Sequence, residues 1–337
     1  MTVAVYADLR WQPGTGIGAV QSALLSRIPA GFEIVDLGVM GRIGSPLSPL
    51  AISGALSRQK PRRGAFWSPG YMPPLSSSLP SVVTVHDLTH LHFYTRLHAA
   101  YYNGLMKRLY RKCRGVICVS EYTRREFLEW AGMRSDDVHV IHNGVSELFF
   151  NVTEGFGLPF PYVFYPGNRR AYKNLDRLLE AYARSRLPVE GIHLVLTGPP
   201  DRHLQARAKR IRIERLTHFV GQVREEEVAR LYRGATAVVF VSLYEGFGLP
   251  IVEAMAAGVP VLTSNVSSMP EIAGEAAVLV EPTRTDEIAA GLECVSFDSE
   301  LRRKLVRLGK DRARLFDWDS SAARVWQAVA RVAGQLC

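Results

Sequence analysis

The chain has 337 residues, 47% of them hydrophobic and 22% charged, which is the composition of a folded soluble protein longer than one ordinary domain. No run approaches the roughly twenty apolar residues of a membrane-spanning helix, and the first residues lack the order of a signal peptide, so we expect a cytoplasmic protein. The four cysteines, Cys113, Cys118, Cys294 and Cys337, lack the paired spacing of a zinc site or a disulfide framework. We expect them to be reduced packing residues.

The net charge of +9 is concentrated in the first half of the chain, where residues 1–150 hold 16 Lys and Arg against 10 Asp and Glu. The densest stretch, residues 94–114, mixes six cations with tyrosine and leucine at helical spacing, which predicts a basic amphipathic helix. It is interpreted either as a helix on an anionic membrane, which would make the protein peripheral on the inner face, or as a solvated helix with one face in the core. No nucleic-acid partner is expected, and the sequence leaves the oligomeric state open.

Two series of short apolar strands alternate with helical stretches and predict two tandem, doubly wound α/β domains. The first series comprises residues 3–6, 82–85, 115–119 and 138–141. The second comprises residues 162–165, 193–196, 217–220, 237–241, 259–263 and 277–280.

The predicted domains cover residues 1–152 and 162–319, joined by a Gly- and Pro-rich linker at 153–161. Residues 320–337 form a last predicted helix that returns toward the first domain. Ligands of parallel sheets bind outside the carboxyl ends of the strands, so we expect a substrate cleft between the two domains.

The most informative segment is residues 237–264, which reads as a strand, a glycine loop, a helix and a strand. Pro250 is placed as a helix start, with Glu253 in the first turn and Gly258 at the end. The loop that precedes this helix consists of Glu245, Gly246, Phe247, Gly248 and Leu249. Free backbone amides at a helix N-terminus form an anion site, which predicts binding of a pyrophosphate or the polar edge of a sugar.

Two carboxylates accompany this loop, Glu245 within it and Glu253 on the following helix. Carboxylates accept hydrogen bonds from hydroxyl groups, so one can hold a transferred sugar and the other a ribose. The alternative is that Glu253 only complements the helix dipole and that Glu245 is a solvated loop residue.

The E-x7-E element from Glu245 to Glu253, with its EGFGLP core, resembles the signature of glycosyltransferase family 4. The other segments that share this resemblance occur in the same order and span nearly the whole chain. They are VVTVHDLTHLHF (82–93), VICVSEYTRREF (116–127), VIHNGV (140–145), YPGNRRAYKNLDRLLEAY (165–182), HFVGQV (218–223) and SSMPEIAGEAAVLVEP (267–282). The resemblance is strongest to bacterial mannosyltransferase-like enzymes of lipopolysaccharide or exopolysaccharide assembly.

This resemblance implies a GT-B fold, with an acceptor-binding first domain and a nucleotide-sugar-binding second domain. It implies that Glu245 contacts the donor sugar near the reacting centre and that Glu253 contacts the ribose. A lysine and an arginine of the family bind the diphosphate, and Lys173 matches the lysine directly. Asn168 stands where many members have the arginine, so either Arg169 or Arg170 is expected to replace it. Such cations stabilise the departing diphosphate in place of a metal ion, so no metal is expected.

Further donor contacts are carried over from the family to loops at the ends of the strands. The diphosphate-binding segment begins at Gly167, and backbone groups that read the base are expected at Val220, Gly221 and Val223. Gly198 is expected to border the same pocket. The sequence does not distinguish the nucleotide. GDP-mannose is favoured from the resemblance, with a UDP- or ADP-sugar as the alternative, and no other cofactor is expected.

His86 and Asp87 follow the predicted strand 82–85 at its carboxyl end, where functional side chains of an α/β domain lie. Family members have a histidine there that touches the donor sugar, which implies the same role for His86; the alternative is a satisfied buried histidine. Asp87, at the same strand end, is either a further residue of the active site or a cap of the next helical segment. His90 and His92 are expected to line the acceptor side.

The segment Pro13 to Gly18 resembles the family's glycine loop, in which Gly16 and Gly18 face the diphosphate and the acceptor. By itself the pattern also fits a dinucleotide fingerprint, with Asp36 as a weak ribose contact, so a dehydrogenase remains an alternative. Asp317 and Asp319 have the D-x-D spacing of metal-dependent enzymes of another fold. We interpret Asp319 or Ser320 as a helix cap instead.

The implied reaction transfers a hexose, with mannose favoured, from a nucleoside diphosphate sugar to a carbohydrate or polyprenyl-diphosphate-linked acceptor, with retention of configuration. It would belong to the synthesis of a bacterial surface polysaccharide. A sugar-nucleotide epimerase of the same fold and a non-catalytic sugar-nucleotide-binding protein are the alternatives.

Overall fold

In a computed structural model, the structure describes residues 2–12, 14–61 and 63–334. Pro13 of the predicted glycine loop and Cys337 lie outside the described residues. The chain forms two compact units, Met1–Gly144 with Trp318–Cys337, and Val145–Asp317. The unit boundaries fall at 144/145 and 317/318, so residues 145–152 and the predicted linker 153–161 belong to the second unit.

The described part of the first unit contains a parallel six-stranded sheet with the order β2-β1-β3-β4-β5-β6. Its strands are β1 Val3–Ala7, β2 Phe32–Asp36, β3 Ala65–Ser68, β4 Ser81–Val85, β5 Gly115–Cys118 and β6 Val138–Val140. The helices between them are α1 Gly16–Leu25, α2 Ser48–Gln59, α3 Thr89–His92, α4 Arg96–Tyr101, α5 Lys107–Tyr110 and α6 Glu121–Ala131, with a π-helical turn at Tyr102–Met106 that joins α4 to α5.

The second unit, within its described residues, contains a parallel six-stranded sheet with the order β12-β11-β10-β7-β8-β9. Its strands are β7 Tyr162–Tyr165, β8 His193–Leu196, β9 Thr217–Phe219, β10 Ala237–Phe240, β11 Val261–Ser264 and β12 Val278–Val280. Its helices are α7 Glu147–Asn151, α8 Leu175–Arg184, α9 Arg202–Arg210, α10 Glu225–Gly234, α11 Leu249–Ala256, α12 Met269–Ala273, α13 Thr285–Phe297 and α14 Ser299–Ala313. The predicted α/β class with two tandem parallel sheets is confirmed.

The last helix, α15 Trp318–Val332, belongs to the first unit. Trp326 on this helix is 1% exposed and packs against Trp67 of β3, with ring centroids 5.0 Å apart. The neighbouring Phe66 enters a different cluster on the opposite face of the sheet, because successive side chains of a strand alternate. The helix therefore completes the hydrophobic core on one face of the first sheet.

Two strands of the first sheet, β2 and β3, were not predicted, whereas all six strands of the second sheet were. β2 lies at the sheet edge and none of its residues is fully buried, so it lacks the continuous apolar run that marked the others. β3 is fully buried but has only four residues. Its sequence, AFWS, contains no β-branched residue, so it lacks the pattern by which the other strands were predicted.

The predicted basic helix at 94–114 is present as α4, the π-helical turn and α5. Its apolar side chains Tyr102, Met106, Leu109 and Tyr110 are buried in the core of the first unit. That face is therefore unable to insert into a membrane, and the interpretation of a helix with one face in the core is the one that the structure supports. Among residues 2–12, 14–61 and 63–334, none of the helices combines the length and apolar character needed to cross a bilayer.

The packing of α15 gives a stability prediction. Trp326→Ala should lower the free energy of unfolding of the first unit by about 3–5 kcal/mol, because it leaves a cavity against Trp67. Gln327→Ala, on the exposed side of the same helix, should change it by less than about 0.5 kcal/mol. Urea unfolding followed by circular dichroism measures both, and equal midpoints for the two variants would contradict the assigned packing.

Candidate active site

The second sheet has its topological switch point between β7 and β10. The chain proceeds from β7 to β8 and β9 on one side, and then returns to β10 on the other side of β7. Loops that leave the carboxyl ends of these two neighbouring strands diverge to opposite faces and open a crevice between them. The segment after β7 carries Lys173, and the segment after β10 carries Glu245.

Lys173 and Glu245 meet at this point. Lys173 Nζ donates a hydrogen bond to Glu245 Oε1 over 2.6 Å, and the two side chains are only 10% and 13% exposed. The ammonium group also lies 4.9 Å from the centre of the Phe240 ring. Two residues that the sequence assigned to the diphosphate and the sugar, 72 positions apart, are thus in direct contact.

The backbone around Lys173 is held by Asn174, which sequence analysis did not assign. Asn174 has a φ of +63°, and its amide donates to the carbonyls of Val241, over 3.0 Å, and Pro282, over 2.7 Å. The Leu243 amide donates to the Tyr172 carbonyl. These bonds join the loops after β7 and β10, and they fix where Lys173 points.

The glycine loop ends at the N-terminus of α11, as predicted. Gly248 is the N-cap, with a φ of +104° that is strained for residues with a side chain, and Pro250 lies in the first turn. Ser268 Oγ donates to the carbonyls of Glu245 and Phe247, both over 2.9 Å. The carbonyls are thereby drawn away from the helix N-terminus, where amide groups favour an anion.

Other side chains of the loop have a packing role. Phe247 is 5% exposed and makes an edge contact with Phe316, so any ligand contact it makes is through its backbone. Gly246 is buried and Leu249 is half-buried. The backbone amide of Glu245 donates a hydrogen bond to Ser267 Oγ over 3.0 Å, which helps to hold the loop in place. Ser267 was not assigned a role from the sequence, although it begins the family-like segment at residues 267–282.

Glu253 lies on α11, but not in its first turn as predicted, because the helix begins at Leu249 and Glu253 is its fifth residue. Its Oε2 accepts a hydrogen bond from Tyr232 Oη over 2.6 Å. Burial raises the pKa of Glu253 to about 7, against a smaller opposing effect of the Tyr232 hydrogen bond. Tyr232 was not assigned from the sequence.

Arg169 lies across the loop that follows β8. Its guanidinium donates to the carbonyl of Thr197 over 2.7 Å and to that of Pro199, and it stacks over the Phe219 ring at 4.9 Å. Burial lowers its pKa. Arg169 therefore ties the β7 and β8 loops together, while the Arg170 side chain is exposed on the same segment.

The loops expected to read the base lie side by side. Gly198 and Gly221 exchange two backbone hydrogen bonds, of 3.0 and 3.1 Å, and both have positive φ. Val220 and Val223 flank Gly221 and are half-buried. Gly167 has a φ of +140°, and its amide donates to Thr197 Oγ1 over 2.8 Å. Asn168 is exposed, and its Oδ1 accepts from the Arg170 amide over 3.3 Å.

His86 belongs to the first unit and follows β4, at the carboxyl end of its sheet. Its Nε2 lies 2.6 Å from the Pro69 carbonyl, which only accepts hydrogen bonds, so Nε2 carries the proton. Burial lowers the pKa of His86, which keeps the ring neutral near pH 7. The neutral ring has Nδ1 as an acceptor, which suits a contact with a hydroxyl group.

The neighbouring candidates have structural partners. Asp87 Oδ1 accepts from the Thr89 amide and hydroxyl, over 2.9 and 2.6 Å, as a residue that caps the next turn does. His90 is buried and stacks on Tyr102 at 3.5 Å between ring centroids, and His92 pairs with Glu126. His90 therefore packs in an aromatic cluster, although it was expected to line an acceptor site.

The N-terminal glycine loop forms the start of α1. Thr15 is the N-cap and accepts from the Gly18 amide over 3.0 Å, and Gly16 is the first helical residue. A Cβ at Gly18 would lie 1.9 Å from the Gln12 carbonyl, so this position requires glycine. Asp36 is the last residue of β2, and its carboxylate accepts from the Gly38 amide over 3.0 Å.

The D-x-D segment lies at the start of α15. Asp319 is within the first turn, after Trp318, so it is not the cap that was predicted, and Ser320 follows it inside the helix. Asp319 pairs with Arg27 of α1 over 2.5 Å. Within the described residues, no group of three or more His, Cys, Asp or Glu side chains is arranged to hold a metal ion.

Two protein-family models match the chain in succession. The model for glycosyltransferase family 4 matches residues 63–147, and the model for group 1 glycosyl transferases matches residues 152–312. The second match contains the Lys173 and Glu245 pair, and the first contains His86.

Two of the curated relatives are named as mannosyltransferases. O-antigen chain mannosyltransferase B of Escherichia coli is 28% identical over 266 residues, which cover 74% of this chain and 69% of the relative. The MMP alpha-(1->4)-mannosyltransferase of Mycolicibacterium hassiacum is 31% identical over 238 residues, which cover 68% of this chain and 58% of the relative.

Solved structures share the fold over nearly the whole chain. Anabaena Alr3699/HepE, solved in complex with UDP and glucose, is 17% identical with a TM-score of 0.76, over 98% of this chain and 100% of that one. The expected GT-B fold class is thereby confirmed.

The pKa of Glu253 gives a prediction for stability against pH. Because the pKa is about 7 in the folded chain and about 4.5 in its ordinary state, Glu253 contributes most to stability at low pH, and the contribution is lost as the pH rises through 7. Glu253→Gln should therefore gain stability over the wild type between about pH 4 and pH 8, on the order of 3 kcal/mol.

Urea unfolding at a series of pH values measures this difference. Glu275→Gln, at an exposed position of the same unit, serves as the matched control and should run parallel to the wild type. A Glu253→Gln curve that also runs parallel would show that the carboxyl group has no raised pKa.

Proposed function

The chain belongs to glycosyltransferase family 4, and we propose that it is a retaining hexosyltransferase with a nucleoside diphosphate sugar as donor. The acceptor in this proposal is a carbohydrate or a lipid-linked carbohydrate of a bacterial surface polysaccharide. The observation that carries the proposal is the contact of Lys173 with Glu245 beside the N-terminus of α11. It brings together a cation for the diphosphate, a carboxylate for the sugar and amide groups for an anion.

The diphosphate is proposed to bind Lys173 and the amides at the start of α11. A phosphate oxygen is an anionic acceptor like the Glu245 carboxylate that Lys173 now contacts, so it can replace that oxygen without leaving a buried cation unpaired. The positive charge then stabilises the negative charge that develops on the departing diphosphate. The proposal needs no metal ion, because this cation and the helix N-terminus fulfil that role.

The nucleoside is proposed to occupy the neighbouring loops. Gly198, Gly221 and the valines beside Gly221 are assigned to the base, and Glu253 to the ribose hydroxyls. Arg169 is proposed to hold the loop after β8 through its two carbonyl contacts, which leaves Arg170 as the arginine for the diphosphate.

The donor is proposed to be GDP-mannose, with a UDP- or ADP-sugar as the alternative. The names of the two curated relatives support mannose, whereas a UDP and glucose complex was solved for a relative that shares only the fold. In the proposed step, the bond from the anomeric carbon to the phosphate oxygen breaks. The acceptor oxygen then bonds to that carbon from the same face, and its proton passes to the leaving phosphate.

Glu245, once released from Lys173, is proposed to accept hydrogen bonds from hydroxyls of the hexose and to orient it. Nδ1 of His86 is proposed to accept a hydrogen bond from a hydroxyl of a sugar substrate, as the family resemblance implies, because the ring is neutral and its other nitrogen is engaged with Pro69. Neither residue forms a covalent bond to the sugar in this proposal. Catalysis therefore rests on positioning and on charge stabilisation.

The acceptor is proposed to bind at the switch point of the first sheet, between β1 and β3. Asp8 after β1 is 4% exposed and holds Arg10 through two hydrogen bonds of 2.7 and 2.8 Å. Trp11 and Tyr71 from the two loops are half-buried, with ring centroids 5.7 Å apart. Aromatic rings beside charged groups suit a sugar, which has both apolar faces and hydroxyl edges.

Two substitutions test the donor site. Glu245→Gln should lower kcat by about 10²–10³-fold, because it removes a contact to the reacting sugar. The same variant should bind the nucleoside diphosphate more tightly than the wild type, because the carboxylate that occupies Lys173 in the free chain is gone. Lys173→Ala should weaken nucleoside diphosphate binding by roughly 1–3 kcal/mol, as the loss of a charge-assisted hydrogen bond does. Transfer assays and isothermal titration measure the two effects.

Glu275→Gln and Lys209→Ala, at exposed positions of the same unit, are the matched controls. All assays contain EDTA, in which the wild type is expected to remain active. Unchanged turnover of Glu245→Gln would remove Glu245 from the active site. Conversion of the donor into another nucleotide sugar without an acceptor would instead identify an epimerase.

A further inference from the structure

The first unit contains a long stretch of almost purely positive charge. Between residues 37 and 120 the sequence has eleven Lys and Arg but one acidic residue, Asp87. The Asp87 carboxylate is engaged with Thr89. The surface formed by this stretch therefore presents cations with little internal neutralisation, and it favours an anionic partner.

The same stretch exposes four large apolar side chains. Leu97 of α4 is 81% exposed, and Leu47 and Leu50 at the start of α2 are 68% and 57% exposed. Met40, in the loop between β2 and α2, is 79% exposed. Single exposed leucines are common on protein surfaces, so their arrangement decides whether they form a site.

Leu47, Leu50 and Leu97 lie on two segments that touch. Tyr101 Oη at the end of α4 donates to the Pro46 carbonyl over 3.0 Å, directly beside Leu47. Leu97 precedes Tyr101 by four residues and lies on the same side of that helix, and Leu50 follows Leu47 by three residues in the first turn of α2. We call these three leucines the aliphatic tip.

Cations flank the aliphatic tip on both segments. Arg96 precedes Leu97 and is exposed, and Arg42 is exposed in the loop that leads to Leu47. Arg108 is exposed further along the same helical segment. Leucines between exposed arginines are the pattern of a surface that inserts its apolar groups among lipid chains while the cations meet anionic headgroups.

The tip also lies at the end of the first unit where the proposed acceptor site is found. The loop before α2 follows β2, α4 comes after β4, and both therefore leave the carboxyl edge of the sheet. Arg10, beside the proposed acceptor site, donates to the Gly41 carbonyl of the same loop over 3.3 Å. A lipid-linked saccharide that emerges from a bilayer would reach this edge first.

We propose that the aliphatic tip and its flanking arginines dock the protein on an anionic lipid bilayer. Leu47, Leu50 and Leu97 enter the interface, and Arg42, Arg96 and Arg108 bind phosphate headgroups. The buried face of residues 96–110 takes no part, since it packs in the core. The inference rests on the proposed function for the lipid-linked acceptor, but lipid binding and sugar transfer are separate measurements.

The test uses the purified full chain and sedimentation with vesicles of phosphatidylcholine alone or with about one third phosphatidylglycerol. The wild type should bind the anionic vesicles, and high salt should weaken this binding. The double variant Leu47→Ser and Leu97→Ser should bind about tenfold more weakly. Its matched control is Val189→Ser and Leu315→Ser, which replaces aliphatic residues of the second unit that are 90% and 68% exposed and should bind like the wild type.

A second pair of variants tests whether the arginines bind the anionic headgroups. Arg42→Glu and Arg96→Glu together should abolish the preference for anionic vesicles, whereas Arg202→Glu and Lys209→Glu on α9 should preserve it. All variants should retain the wild-type thermal unfolding midpoint and, with a soluble acceptor, the wild-type transfer rate. A wild type that binds vesicles but transfers no sugar would refute the proposed function and leave this inference intact.

Three results would overturn the docking proposal. The first is a wild type that does not bind anionic vesicles, or that binds neutral ones equally well. The second is a tip variant that binds as strongly as the wild type. The third is a wild type that self-associates without vesicles while the tip variant is monomeric, which would make the tip a contact between copies of the chain.

Discussion

The ion pair of Lys173 with Glu245 is the interaction on which the arrangement of the second unit's carboxyl edge depends. A lysine ammonium group that is 10% exposed requires an anionic partner, because an unpaired buried charge costs several kcal/mol. Asn174 holds the lysine segment through bonds to carbonyls after β10 and β12, and Ser267 and Ser268 hold the glutamate loop. The hydrogen bonds that hold Lys173 and Glu245 in position are thus made by segments that follow several different strands. The pair is therefore a preformed site that an anionic group of a substrate can enter.

The glycine loop serves this pair by controlling where backbone groups point. Gly248 takes a φ of +104° so that the chain can turn directly into α11, and Ser268 turns the carbonyls of Glu245 and Phe247 toward the protein. The amides at the helix start are then oriented for a ligand before it binds, which limits the reorganisation that catalysis requires. In the first unit, by contrast, Gly18 is required by a close approach of the Gln12 carbonyl.

Much of the second sheet could be predicted from the sequence, because buried parallel strands are continuous apolar runs and β7 and β10 are such runs. The edge strand β2 is interrupted by charged residues, and β3 has no β-branched residue, so both lack that signal. The family resemblance implied that Lys173 and Glu245 bind the same donor molecule, but it did not predict that their side chains contact each other. The direction of Arg169 could not be predicted, because carbonyls about thirty residues later determine it. Likewise, the sequence of residues 94–114 showed an amphipathic helix, but not which partner covers its apolar face.

The most direct test of the account is a crystal structure of the protein with a nucleoside diphosphate sugar. The account predicts that Lys173 Nζ lies about 2.7–3.2 Å from a diphosphate oxygen, with the Glu245 carboxylate turned from the lysine to hydroxyls of the hexose. A donor bound elsewhere, with the hydrogen bond between Lys173 and Glu245 intact, would contradict the central claim that this pair is the donor site.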